Sequence, residues 1–201
     1  MSSIEEFVTE LTKQKNTSTI SNPYLNQDIA DNLRLYLGAM IKMEGKRVLL
    51  VGEAPGYKGC KITGIPFTSG KAFERFDHPL LKEIGSQLKL TKIESENTAT
   101  IVWEYLSKKN DTPLFWNSFP FHPHPKDNEN KNRAPTSGEV ELGINHLKRL
   151  HSIYKPEVVA GIGGKGVECA KKAFPKENIV YIRHPSFGGK SEFIDGMDKI
   201  I

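Results

Sequence analysis

A chain of 201 residues has room for one sizeable core and falls within the usual size of a single domain. With 37% hydrophobic and 26% charged residues, its composition is that of a globular protein rather than a disordered or fibrous one. The net charge of +4 is uneven: residues 1–45 carry 4 basic and 6 acidic side chains, and residues 46–201 the remaining 24 and 18, a net of +6. Such an excess permits contact with a polyanion without demanding it, because nucleic-acid domains are recognised by clustered basic faces.

In chain order, Ile4 to Leu11 and Asp28 to Met43 carry apolar residues at helical spacing, separated by a Ser/Thr/Asn/Pro-rich loop from Thr17 to Asn26. From Arg47 the pattern changes to Val48-Leu49-Leu50-Val51, a short apolar run ending at Gly52, which reads as a buried strand. Comparable runs end at Asn117 (Leu114-Phe115-Trp116), at Gly161 (Val158-Val159-Ala160) and at Arg183-His184 (Ile179 to Ile182). Helical patterns lie between and after them, over Lys71 to Leu88, Thr98 to Leu106, Ser137 to Tyr154, Gly166 to Phe174 and from Ser191 onward. Pro120 to Pro135 is too polar and proline-broken for regular structure. The alternation predicts a three-layer α/β/α sandwich around a mostly parallel four-stranded sheet, forming one domain with N-terminal helices over 1–45 and the core over 46–201.

No charged start leads into an apolar run long enough for a signal peptide or a membrane span. Cys60 and Cys169 are the only two cysteines, too few for a disulfide framework, a four-cysteine zinc site or an iron–sulfur cluster. A reducing compartment such as the cytoplasm, a monomeric state and no bound cofactor are therefore the expectations.

Open α/β sheets bind ligands beyond the carboxyl ends of their strands, so the loops there carry the functional reading. The first, Gly52-Glu53-Ala54-Pro55-Gly56, delivers a carboxylate to the sheet's mouth, and Phe67 follows in a second Gly/Pro-bounded turn. Taken singly, Glu53 also fits a loop ion pair and Phe67 a core plug. Asn117 offers one acceptor and two donors, enough to read adjacent carbonyl and imide groups of a planar heterocycle, and equally suits a turn. His122 and His124 stand two apart with no cysteine near them to complete a metal set. Gly161 to Gly166 runs from strand into helix and suits a phosphate, but lacks the Walker arrangement. The last loop, Arg183 to Gly189, brings His184 to the same edge.

The order of Gly-Glu-Ala-Pro-Gly at 52–56, Pro66-Phe67, Asn117, Asn132-Arg133-Ala134-Pro135-Thr136 and His184-Pro185-Ser186 resembles the uracil-DNA glycosylase superfamily, over about Arg47 to Phe187. The resemblance implies hydrolysis of the N-glycosidic bond of a uracil, or a related deaminated base, rotated out of DNA, leaving an abasic site. It implies that Phe67 stacks on the base, Asn117 pairs with its O4 and N3–H edge, and His184 donates to O2. Glu53 would attend the sugar and the water, with the Gly52-Glu53 backbone reaching the base. Ser69, Gly163, Gly164, Lys165 and Ser186 would hold the DNA backbone. Phe187 is the candidate wedge for the emptied stack, with core packing as its alternative. The branch with four cluster-binding cysteines is excluded by the cysteine count. After Gly56 the chain continues Tyr57-Lys58-Gly59-Cys60 rather than with acidic residues. A nucleotide-binding α/β protein and a catalytically weak DNA-binding relative are the rival readings.

Overall fold

A computed structural model describes residues 3–201. Its elements run α1 (Ser3–Leu11), β1 (Ile20–Ser21), α2 (Gln27–Lys42), β2 (Val48–Gly52), α3 (Cys60–Thr63), α4 (Gly70–Arg75), α5 (Pro79–Gly85) and α6 (Asn97–Leu106). They continue as β3 (Leu114–Asn117), β4 (His122–Pro123), α7 (Ser137–Tyr154), β5 (Val158–Ile162), α8 (Gly163–Ala173), β6 (Val180–Ile182) and α9 (Lys190–Met197). The main sheet has four strands in the order β3-β2-β5-β6, and every neighbouring pair is parallel. Helices flank it, so the architecture is the expected α/β one: α8 packs on β2, β5 and β6, α7 on β3 and α8, and α9 on β6.

The four apolar runs are strands because burial on both faces rewards continuous Val, Leu and Ile rather than alternation. β2, in the sheet interior, is buried at every position. β3 lies at an edge, and α2 covers it: the Phe115 amide donates to the Tyr36 hydroxyl at 2.8 Å, giving an edge donor a buried partner. α1 joins the same core, its buried Phe7 lying 5.4 Å from the Trp116 ring of β3.

Three expectations are corrected. Lys71 to Leu88 is two helices, α4 and α5, because the ring of Pro79 disfavours helical backbone at His78 (φ −145°, ψ 140°). Pro79 instead opens α5, where the Leu80 amide donates to His78 Nδ1 at 3.1 Å. The helix expected from Gly166 begins three residues earlier, so Gly163, Gly164 and Lys165 form its first turn rather than a loop. Finally, the two irregular stretches, Thr17 to Asn26 and Pro120 to Pro135, meet as an antiparallel ribbon of β1 and β4, pairing Ile20 with Pro123 and Ser21 with His122.

Among the described residues no helix is long and apolar enough to cross a membrane.

Candidate active site

The parallel register brings candidate site residues together before any loop is considered. Gly52 and Asn117 are direct partners at the ends of β2 and β3. Beyond them, and beyond β6, a cavity of about 630 Å³ opens, lined by Glu53, Phe67, Asn117, His184, Ser186 and Phe187 together with Tyr57, Glu96, Thr98 and Asn132.

Asn117 is buried, and among the described residues its side-chain amide makes no hydrogen bond within the chain. The amide opens onto the cavity instead. Its acceptor and donors are thus free to meet a ligand.

Phe67 has φ 58°, in the left-handed region that a phenylalanine rarely adopts. Its carbonyl accepts from Trp103 Nε1 at 3.0 Å, which helps hold the strained backbone, and its ring lies 5.1 Å from Phe115. The ring is half-buried, with the cavity on its open side. Gly52 does not line the cavity: its bare α-carbon leaves room for the Phe67 ring and for the Asn117 amide.

Glu53 is half-exposed, and burial pushes its carboxyl above the usual carboxylate range while the Lys165 ammonium pulls it back. The residues after Asn117 hold its loop. Ser118 N and Oγ donate to the Gly52 carbonyl at 2.8 and 2.7 Å, and the Phe119 amide donates to the Glu53 carbonyl at 3.1 Å.

His184 receives the Ser186 amide at Nδ1 over 3.2 Å, so that nitrogen is the acceptor and Nε2 carries the ring proton. Burial, helped by the Arg183 charge, lowers its pKa and favours the neutral ring. The hydroxyls of Ser186 and Thr98 lie 3.1 Å apart, tying this loop to the start of α6.

The remaining positions divide. Phe187 is 98% exposed at the cavity rim with φ 55°, which removes the core-packing alternative. Lys165 is exposed on the first turn of α8 beside Gly163 and Gly164. Gly166 is packed against β2, where a Cβ would overlap the Val51 carbonyl oxygen. Ser69 is 1% exposed, lies outside the cavity lining, and its hydroxyl has no partner among the described residues. His122 and His124 stack at 5.6 Å, and each ring nitrogen faces an oxygen of the chain. Among the described residues no three His, Cys, Asp or Glu side chains gather as a metal ion would require.

Sequence reasoning missed Glu96. Its carboxylate caps α6, accepting from the Thr98 amide at 3.1 Å, and burial pushes its pKa up. The only available signal was a polar residue just ahead of a helical pattern. The 132–136 motif proves to be a brace. Asn132 Oδ1 accepts from the Tyr57 amide at 3.0 Å, Arg133 forks onto the Glu139 carboxylate at 2.6 and 2.8 Å, and Thr136 with Glu139 forms the capping box of α7.

The assembled groups suit cleavage that separates charge: an aromatic face, a free amide, a neutral imidazole N–H and a half-buried carboxylate share one cavity. Comparison with curated proteins finds no match. Among solved structures the chain is similar to SMUG2 of Pedobacter heparinus, at TM-score 0.70 and 17% identity, covering 99% of this chain and 96% of that one. At that identity the likeness speaks for the fold. Residues 41–193 match the family model described as the uracil DNA glycosylase superfamily, most of the chain and all of the cavity-lining side chains discussed above, so this protein belongs to that superfamily.

Proposed function

We propose that this chain is a DNA glycosylase that hydrolyses the N-glycosidic bond of uracil, or of a related deaminated base, flipped from DNA into the 630 Å³ cavity. The observation that carries the reading is the convergence of Glu53, Phe67, Asn117 and His184 on one cavity at the carboxyl edge of the sheet. The ring of Phe67 stacks on the base, and the Asn117 amide donates to O4 and accepts from N3–H. As the C1′–N1 bond breaks, its electron pair leaves on the base, and His184 Nε2–H donates to the O2 where that charge collects. The sugar becomes oxocarbenium-like. Glu53 stabilises it and orients the water, whose oxygen bonds to C1′ as it gives up a proton to solvent, and the released base anion takes up a proton in turn. Cytosine presents a donor where uracil presents O4 and an acceptor where uracil presents N3–H, so the same amide rejects it. Lys165 and the first turn of α8 lie on the basic part of the chain and hold the phosphates, with Ser186 and its neighbours beside the base.

The test is incubation with single-stranded, U·A and G·U oligonucleotides followed by alkaline cleavage of abasic sites. Cleavage at uracil is expected in the wild type. Intact DNA in all three sinks the proposal, and tight mononucleotide binding without abasic product favours a nucleotide-binding protein instead.

A further inference from the structure

His122 lies outside the cavity lining yet is fully buried between two loops of the site. Its Nδ1 is 2.7 Å from the Pro55 carbonyl oxygen and its Nε2 is 3.0 Å from that of Glu129. A neutral imidazole has one N–H and cannot donate to both. Burial above all, with the Lys61 and His124 charges, opposes the cation that the two carbonyls favour. The carbonyls differ in what else reaches them. Glu129 O also accepts from Lys61 Nζ at 3.1 Å, whereas Pro55 O has no other donor among the described residues. The ring proton therefore belongs on Nδ1, facing Pro55.

That bond completes a grip on the loop carrying Glu53. Ser118 and Phe119 hold the Gly52 and Glu53 carbonyls, His122 holds that of Pro55, and all three come from the segment directly after Asn117. Pairing of β4 with β1 fixes His122 from behind, at Ser21. Resting on the glycosylase reading above, we propose that His122 is a positioning residue: by donating Nδ1–H to Pro55 O, it sets the Glu53 carboxylate relative to the Asn117 amide.

Two near-isosteric variants separate this from packing, because an asparagine amide nitrogen stands near the place of Nδ1 and a glutamine amide nitrogen near that of Nε2. His122→Asn keeps a donor for Pro55 O, while His122→Gln aims its donor at Glu129 O. Single-turnover base release is expected to stay within about threefold of wild type in His122→Asn and to fall about 10–100-fold in His122→Gln, with DNA affinity unchanged in both. Amide exchange over residues 53–58, followed by mass spectrometry, is expected to quicken only in His122→Gln. Equal rate losses, or losses that track thermal stability in the two variants, overturn the inference. Should the wild type release no base, the glycosylase reading falls by itself, and exchange decides the loop's anchorage: quickening in His122→Gln alone sustains it, and equal exchange in both variants overturns it.

Discussion

Gly52 lies directly beneath the ring of Phe67, so closely that a Cβ built on the glycine would stand 2.5 Å from Phe67 Cε2 and 3.1 Å from Asn117 Oδ1. One missing methyl group thus admits both the Phe67 ring and the Asn117 amide. Gly52→Ala is expected to displace them together, at an overpacking cost of about 1–3 kcal/mol in stability. Base release should fall more than tenfold, about the loss for a misplacement well under 1 Å. Single-turnover kinetics beside thermal unfolding check this, and wild-type rates in the variant would show that the ring and amide do not read the base.

Asn117→Ala and His184→Ala are each expected to cut the rate strongly. Removing a donor from a developing anion costs about 2.7–4 kcal/mol of barrier, or roughly 10²–10³ in rate. The two should differ in binding. On the proposed mechanism the Asn117 amide touches the base before the bond breaks, so its loss is expected to weaken affinity for flipped uracil as well, whereas His184 acts as charge develops. Comparing single-turnover rate with the affinity for a non-cleavable uracil analogue in DNA separates them.

The pH profile follows from opposite shifts. Burial raises the Glu53 carboxyl, so the ionised form required by its role is lost on acidification at a higher pH than for an ordinary glutamate. His184 is pushed the other way, and its neutral Nε2–H donor persists further into acid. The acid limb of the single-turnover rate is therefore set by Glu53. Because Lys165 lowers that pKa, Lys165→Met should move the limb to higher pH, a direction read from rate measurements at saturating enzyme.

Phe187→Ala tests the rim. A side chain 98% exposed makes little contribution to stability, so thermal unfolding should stay within about 0.5 kcal/mol of wild type. If the ring fills the stack left by the flipped base, activity on double-stranded DNA falls while activity on single strands is kept. Equal losses on both substrates would argue against a wedge.

A stability prediction concerns the brace. The Arg133 guanidinium holds the Glu139 carboxyl below the usual carboxylate range, and its other bonds reach the Thr136 cap. A lowered native pKa adds stability that is full above the unfolded-state pKa and lost as pH falls through the native one. Glu139→Gln should thus cost about 1.5–3 kcal/mol near neutrality, and the gap from wild type should close in acid, below the ordinary glutamate range. Chemical denaturation at a series of pH values measures it.

What could be read beforehand follows physical scale. β2, β3, β5 and β6 were legible because a buried parallel strand writes itself as an unbroken apolar run. Glu53, Asn117 and His184 were legible as a consequence, being the polar residues just past those runs. β1 and β4 escaped because two residues apiece carry no periodicity, and their pairing joins segments about a hundred residues apart. The break at Pro79 was available in the sequence and was overridden by the apolar spacing around it. Glu96 was hidden because a cap contact and a cavity wall look alike from one polar letter.

The direct pairing of Gly52 with Asn117 in the sheet has a last consequence, in time rather than in space. The Asn117 amide stands at the end of a strand hydrogen-bonded along its length to the fully buried β2, the kind of backbone that opens slowly, whereas His184 and Phe187 ride on a loop tied to α6 by one hydroxyl pair. On the proposed mechanism, the reading amide and the Glu53 carboxylate then share the firmly held side of the cavity while the donor to O2 sits on the side that can rearrange, so a base can be inspected and refused before His184 closes on it.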